Sequence, residues 1–431
     1  MNVSIIGGGI GGLTTALALQ RAGISCTIFE SVGELRDLGV GINLLPHAVR
    51  VLAELDLLPQ LREIAVETSE LCYFNKFGQL IWREPRGVAM GYRWPQFSIH
   101  RGQLQNLLVR TVKQRLGEDA LVCGHHLGNY ENTGDGCVLL QFIERKTGAV
   151  LHSRSTDCVI AADGIHSRVR AMHYPDEGMP RWNGAILWRG VTESGQFLSG
   201  RSMFMAGHQD QKFVCYPISA EHLRAGRSFS NWIAELRYEP RELISREDWN
   251  RPGVLADFLP RFESWTFDWL DIPRLIRDAS SIYEFPMVDR DPVANWAFGN
   301  VVLLGDAAHP MYPIGSNGAS QAILDARVLT REILAHGPTN AALMAYEAER
   351  RPATTDLVLL NRRNGPEQVM QMVEERAPDG YNVVTDVLSL QELQDIAANY
   401  KRVAGFQVEG LNAKPPIVQV PAGANQVSSA G

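Results

Sequence analysis

The sequence predicts an α/β fold. A Rossmann-like dinucleotide-binding domain is interleaved with an antiparallel β-sheet domain and followed by a C-terminal helical segment. Three observations predict it. A strand, glycine loop, helix and second strand open the chain and end on an acid, Glu30. Two further apolar strands, at residues 157–161 and 300–304, run into Asp163-Gly164 and Gly305-Asp306. Between them, from about Trp182 to Phe285, aromatic-rich strand-like runs replace the alternation of strand and helix.

The opening unit comes first. Val3 to Ile6 reads as a buried parallel strand, Leu13 to Ala22 as a helix closed by Gly23, and Cys26 to Phe29 as the next strand. Gly7, Gly9 and Gly12 stand at G-x-G-x-x-G spacing, with Gly8 and Gly11 between them. Gly7 permits a tight turn. Gly9 lets backbone approach a pyrophosphate, and Gly12 lets helix and strand pack closely. The helix N-terminus offers N–H donors to phosphate. Glu30, eighteen positions after Gly12, can accept hydrogen bonds from a ribose diol. Glycines alone would equally suit a turn of another α/β protein. The complete unit favours a dinucleotide site.

Composition sets the class. The 431 residues suffice for two domains, and 45% apolar with 21% charged content is that of a globular enzyme. The net charge of −7 is spread without long blocks, which argues against nucleic acid or an anionic membrane as partner. No signal or transit peptide and no membrane-spanning run is expected. The six cysteines form no C-x-x-C pair, so a reduced, cytoplasmic protein without structural metal is expected.

Along the chain, the loop from Glu34 to Ile42 carries Gly39 and Gly41, which allow backbone to lie against a flat ligand. Arg36 in that loop is either a phosphate or ribose contact or a solvated charge. Pro46 to Leu55 reads as a helix, and Leu71 to Glu84 as a hairpin turning at Lys76 to Gln79. Arg101 opens a helix running to about Leu116, the wrong end of the dipole for a cation. It either answers an anion or faces solvent. Antiparallel strands follow between Val122 and Leu151. The aromatic-rich region is expected to form a sheet with one packed and one solvated face, then a helical portion from Trp249 to Trp269. A helix opens at Gly318 and runs to about His336, and another spans Thr339 to Asn361. The tail from Ala413 is rich in Pro, Gly, Ala and Ser and reads as extended or disordered.

The third glycine element has the physics of the first. A strand ends at Leu304, Asp306 follows, and a small-residue loop enters a helix at Asn317 to Ser320. Two helix N-termini on one ligand suit a pyrophosphate at one end and a ring that becomes anionic at the other. A reduced flavin is such a ring.

With these motifs in order, residues 1 to about 365 resemble the single-component, FAD-dependent aromatic hydroxylases of the p-hydroxybenzoate hydroxylase type. The stretches Leu38 to Asn43, Ser98 to Gly102, Trp188 to Glu193, Pro286 to Pro292 and Gly318 to Ile323 resemble its phenazine hydroxylase branch, which acts on fused aromatic acids. The resemblance implies FAD as cofactor, NAD(P)H as co-substrate, and hydroxylation of an aromatic molecule by O₂ through a flavin C4a-hydroperoxide. It implies Glu30 at the adenosine ribose, Arg101 at the pyrophosphate or ribityl region, and Asp163 serving FAD and NAD(P)H together. Asp306 falls at the ribityl hydroxyls, Gly315, Gly318 and Ala319 at the flavin ring, and Gly41 beside it. Gly7, Gly9, Gly11, Gly12, Arg36 and Leu127 complete the cofactor set. Many members read G-Q-G-x-N where this chain has Gly315-Ser316-Asn317-Gly318-Ala319. A second G-x-G-x-x-G unit is lacking, which fits one dinucleotide fold serving both redox partners.

The expected domains are FAD-binding at 1–70, 98–180 and 286–365, substrate-binding at 71–97 and 181–285, and a helical segment at 366–412. The tail spans 413–431, and the assembly is a monomer or homodimer. His309, Tyr216 and Arg189 are the catalytic candidates: His309 for proton handling or packing, Tyr216 as a substrate contact, and Arg189 for a substrate carboxylate or an interdomain ion pair. Trp182, Trp188 and Phe204 read as sheet core. A flavin halogenase is disfavoured, since no W-x-W-x-I-P stretch occurs. A flavoprotein oxidase or dehydrogenase, or a non-catalytic FAD-binding protein, are the alternatives.

Overall fold

Short apolar runs with no polar face must be buried on both sides, and four of them form the centre of the first sheet. In the computed structural model, which describes residues 2–35, 39–133, 136–238 and 251–416, Val3–Ile6 lies between Cys26–Phe29 and Cys158–Ala161. Val301–Leu303 flanks Cys158–Ala161, and Leu121–Val122 flanks Cys26–Phe29. These five strands are parallel, and Ala297–Phe298 adds an antiparallel edge. Val3 pairs with both Cys26 and Cys158, which sets the register that brings the first two glycine turns side by side. The helices Ile10–Arg21, Arg101–Leu116, Gly318–His336 and Asn340–Asn361 pack around this sheet and each other. The first helix starts at Ile10, not Leu13, because Gly11 and Gly12 are helical residues that a loop reading of glycine conceals.

A seven-stranded sheet runs in the order Ser281–Asp289, Arg181–Gly195, Arg227–Arg237, Gln211–Pro217, Ser202–His208, Glu70–Phe74, Leu80–Pro85. It is antiparallel except where Ser202–His208 and Glu70–Phe74 run parallel. Alternation divides its residues. Cys72, Phe74, Trp188, Phe204, Phe213 and Trp232 pack with the helices Leu255–Phe262 and Ile272–Arg277. Tyr73, Met203, Met205, Val214 and Tyr216 face the other way, partly against Val369, Met370 and Val373 of the helix Gln368–Arg376. Both faces are therefore covered, which corrects the expectation of one solvated face. A face made of Leu, Met, Val and Tyr has no reason to be wet.

The expected helical portion from Trp249 is also corrected. Residues 249–250 lie outside the described set. Beyond them Leu255–Phe262 and Ile272–Arg277 are helices, separated by a hairpin of Thr266–Phe267 and Leu270–Asp271. The β-branched and aromatic residues of Thr266-Phe267 favour the strand. Two three-stranded antiparallel sheets complete the β structure. One comprises His126–Asn132, Val138–Ile143 and Val150–Thr156, the other Gly41–Leu44, Gln96–His100 and Val66–Thr68.

The C-terminal part is helical at Gln368–Arg376, Leu390–Val403 and Val408–Ala413. The tail reading is corrected at its start. Ala413 is helical, and the carbonyls of Lys414 and Pro415 accept hydrogen bonds from Arg50, with Arg327 donating to Pro415 at 2.6 Å. Residues 417–431 lie outside the described set. All six cysteines are free, and burial pushes the Cys26 and Cys158 thiols up to about 12, so neither is a reactive thiolate. Among the described residues no helix is long and apolar enough to cross a membrane.

Candidate functional site

The first glycine loop is shaped by two close approaches. Gly7 has φ +108°, and a Cβ there would lie 2.3 Å from the Ala162 carbonyl oxygen. A Cβ on Gly12 would lie 2.0 Å from the Gly7 carbonyl oxygen. Gly11 sits against Leu304 and Ala322, where the first helix meets the helix of the third motif. Gly9 differs from the others: a Cβ there meets nothing within 4 Å. Gly9 also caps the helix without a side-chain hydrogen bond, and no acid occupies the first turn. Glu30 is buried beneath the loop. Its Oε2 accepts from the Gly8 N–H at 2.7 Å and its Oε1 from Val32 at 2.9 Å. Gln105 Nε2 donates to the Gly8 carbonyl at 3.1 Å, so the helix led by Arg101 also holds this loop.

The second turn abuts the first. Asp163 Oδ2 accepts from the Arg168 N–H at 2.7 Å, while Oδ1 is buried with no hydrogen-bond partner. Burial pushes this carboxyl above the usual range, against the pull of Ser167 and the backbone N–H groups.

The third motif repeats the arrangement of the first. Asn317 precedes the helix Gly318–His336 without a side-chain cap, its first turn carries no acid, and a Cβ on Gly318 would meet nothing within 4 Å. Two long helices thus present uncapped N-termini beside open glycines, which natural helices ordinarily close with Ser, Thr, Asp or Asn. Asp306 reaches solvent on one side. The chain crowded round its other side raises its pKa, against the pull of His309 and Arg101. Arg101 makes no side-chain hydrogen bond among the described residues, and burial with the nearby Arg189 lowers its pKa while Asp306 opposes. These uncapped donors, the unpartnered cation and the acid Glu30 form a set of groups that fits a flavin adenine dinucleotide.

Gly315 has φ +68°, and a Cβ there would lie 1.9 Å from the Tyr400 hydroxyl. That hydroxyl accepts from Asn317 Nδ2 at 2.9 Å and lies 3.2 Å from the Ile314 carbonyl. The C-terminal helix therefore shapes the third loop. Tyr400→Phe is expected to leave the buried Asn317 amide poorly paired and to cost about 1–3 kcal/mol, read as a lower urea midpoint at unchanged slope.

Gly41 joins its own three-stranded sheet to the seven-stranded sheet. Its N–H donates to Asn231 Oδ1 at 2.6 Å, and its carbonyl accepts from Arg189 at 2.8 Å. A Cβ on Gly41 would be 2.6–2.8 Å from Asn231, Ile218 and Tyr216. Tyr216 is buried, and burial raises its phenol pKa while Arg189 and Asn231 beside it pull the other way. The Arg189 guanidinium stands 5.5 Å from the centre of the Phe285 ring, and its Nε is buried without a hydrogen-bond partner. Asn231 Nδ2 is in the same condition. Arg189, Tyr216 and Gly41 are thus brought together.

His309 is not in hydrogen-bond contact with that group. It is 3% exposed, and its Nε2 lies 2.5 Å from Asp325 Oδ2. Asp325 also accepts from the Gly305 N–H at 3.0 Å and from Arg350 at 2.7 Å. Burial acts to raise the Asp325 carboxyl, but His309 and Arg350 outweigh it and hold the pKa at about 2. This is the packing alternative for His309, a brace under the G-D turn. Leu127 is a buried core residue within the strand His126–Asn132. Arg36 lies outside the described residues. Asn231, Gln105, Asp325 and Tyr400 are absent from the sequence reading. The detectable signals are Asn231 as an amide within a buried strand run and Asp325 as a carboxylate on an apolar helix face.

Residues 1–176 and 273–360 match the family model described as FAD binding domain. The chain is 44% identical over 363 residues to a phenazine 1,6-dicarboxylic acid hydroxylase of Lysobacter antibioticus, covering 84% of this chain and 89% of the relative. It is 30% identical over 366 residues to 3-hydroxybenzoate 6-hydroxylase 1 of Aquipseudomonas alcaligenes, covering 81% and 84%. A Klebsiella pneumoniae flavoprotein solved with FAD and uric acid superposes with a TM-score of 0.74 at 25% identity, covering 95% of this chain and 97% of that one.

Proposed function

The chain belongs to the FAD binding domain family and is an FAD-dependent aromatic hydroxylase that uses NAD(P)H, and from that premise we propose that it acts on a fused-ring or heteroaromatic carboxylic acid. The observation that carries the substrate class is Arg189, a guanidinium on the buried sheet face with an unpartnered Nε, beside Tyr216 and over the Phe285 ring. A half-buried cation with a donor left over recognises a carboxylate, and an Arg fork suits a planar one. The relative at 44% identity bears the name of a hydroxylase of an aromatic dicarboxylic acid, in line with that chemistry.

Bound FAD supplies the redox chemistry: with electrons from NAD(P)H, one oxygen atom of O₂ enters the aromatic ring and the other leaves as water. The protein's residues do the rest. Gly9 and the N–H groups after it would take the pyrophosphate, and Glu30 the adenosine ribose. Asp306 and Arg101 would take the ribityl region, and the N-terminus at Gly318 would face the ring that gains negative charge. Arg189 with Tyr216 and Asn231 would fix the substrate's acid group. Met203, Met205 and Val214 on the same side of the sheet keep that surroundings apolar and exclude water.

Arg189→Met is expected to raise KM for an aromatic carboxylate at least tenfold, with a much smaller change for the same ring lacking the carboxylate. The measurement is substrate-stimulated NAD(P)H consumption, with product mass to count the added oxygen. Equal losses for both substrates would remove the carboxylate assignment. Reduction without oxygen incorporation would return the chain to the oxidase or dehydrogenase alternative.

A further inference from the structure

The C-terminal helices enclose a second cavity that the hydroxylation reading does not use. Its wall carries His47 and Arg50 from the helix Pro46–Glu54, Gln321 and Arg327 from Gly318–His336, Arg350 from Asn340–Asn361, and Lys414. Four cations thus face one space. Against them stand Glu349, also in the wall but held by Arg331, and Glu54, which pairs with Arg50 at 3.0 Å. Arg350 is answered by Asp325 at 2.7 Å, away from the cavity residues. Arg327 and Lys414 are the less compensated pair. Arg327 Nε is buried without a hydrogen bond among the described residues, 3.6 Å from Glu54, and Lys414 contributes its exposed side chain at the lip.

His47 is the second, independent sign of a ligand. It is 1% exposed, its ring stacks on Phe406 at 5.0 Å, and neither ring nitrogen has a hydrogen-bond partner among the described residues. A buried imidazole with both nitrogens unpaired is costly. Burial and the like charges of Arg350 and Lys414 keep it neutral, with its pKa lowered to about 3. A neutral imidazole still has one N–H to donate.

We propose that this cavity, formed by His47, Arg327, Arg350 and Lys414, binds a small oxyanion, a phosphate or a multiply charged carboxylate, separately from the flavin site. The anion takes the His47 N–H and the Arg327 Nε donor, whose ion pair to Glu54, at 3.6 Å, is loose, and neutralises the surplus charge of Arg327 and Lys414. The site is joined to the cofactor loops by short links. Arg350 bonds Asp325, which accepts the Gly305 N–H, and Arg350 donates to Gln321 at 2.6 Å. Gln321 Nε2 in turn donates to Asn317 at 3.2 Å, directly before the helix of the third motif. An anion drawing on Arg350 thereby acts on both the G-D turn and the loop at Gly315.

The test uses the full FAD-loaded chain at fixed ionic strength. Inorganic phosphate and citrate are titrated separately by calorimetry, with the flavin absorbance spectrum recorded alongside. Binding of one probe is expected, weakened at least tenfold in Lys414→Ala and in His47→Gln, with a small spectral shift that those variants lose. Tighter phosphate names a phosphorylated ligand, and tighter citrate a polycarboxylate. Lys414 is exposed, so its variant decides the matter even where His47→Gln does not fold. Absence of heat for both probes, or equal affinity in Lys414→Ala and wild type, overturns the proposal and leaves the hydroxylase reading untouched.

Discussion

Gly12→Ala is expected to yield a flavin-free, destabilised protein, whereas Gly9→Ala is expected to yield a flavin-poor protein of nearly normal stability. The two glycines share a loop and differ in what surrounds them. At Gly12 a methyl group would meet the Gly7 carbonyl oxygen at 2.0 Å, a backbone atom that cannot step aside. Alanine is the better helix former by about 1 kcal/mol, but forced overpacking costs typically 1–3 kcal/mol and more where backbone must move. The clash wins, and displacement of Gly7 also disturbs its contact with Ala162 in the second turn. At Gly9 the added methyl meets no protein atom, and φ −76° is open to alanine. The loss of a glycine N-cap is small, a few tenths to about 1 kcal/mol. A methyl group there obstructs only what approaches from outside. The ratio of flavin absorbance to protein, measured with the urea midpoint of the apoprotein, separates the cases. Normal flavin content in Gly9→Ala would contradict the placement of the pyrophosphate.

Asp325→Ala is expected to cost about 3–5 kcal/mol, the price of stranding a buried cation. Asp325 is 0% exposed and holds Arg350, His309 and the Gly305 N–H at once. Its removal leaves Arg350 buried without its carboxylate, and His309 with neither nitrogen paired, since Nδ1 already lacks a partner. The turn carrying Asp306 loses its acceptor as well, so flavin affinity falls with stability. The pH dependence has a definite sign. The Asp325 pKa is depressed in the folded state, to about 2. Its stabilisation is therefore full above the ordinary carboxylate value near 4 and declines as pH falls toward 2. Asp325→Ala should show a shallower fall in stability across that window than wild type, measured by urea denaturation at a series of pH values. An unchanged slope would show that the pair is not the source.

The contrast between these sites also shows what the chain discloses as text. The loop from Gly7 to Glu30 was legible because each constraint is local: the turn, helix and acid lie within thirty residues, and the spacing encodes the geometry. The three motifs together also made the FAD-binding fold and the aromatic hydroxylase class legible. What escaped was set by pairs distant in sequence. Tyr400 meets Asn317 across eighty-three positions, and Asn231 meets Gly41 across one hundred and ninety. No periodicity marks either. His309 could be proposed for proton handling from its place in the G-D motif, while its partner in space, Asp325, lies sixteen positions on along a helix. The solvated sheet face was misjudged because its cover comes from the C-terminal helices, whose docking no local pattern announces. Alternation reports two faces and is silent on what each one meets.

The backbone of Gly41 has a consequence for how such proteins diversify. Its N–H and its carbonyl are each held by a side chain of the seven-stranded sheet, Asn231 on one strand and Arg189 on the next, with the register pairing Val191 opposite Asn231. A chimaera that exchanged the strands of this sheet with those of a relative would have to import an amide and a guanidinium at those two places. Otherwise it would leave one residue of the recipient with its N–H donor and its carbonyl acceptor unmet. Recombination is thus constrained at a single residue and its two hydrogen bonds, and point substitution along the strands, away from those two positions, is the less obstructed route to new substrates.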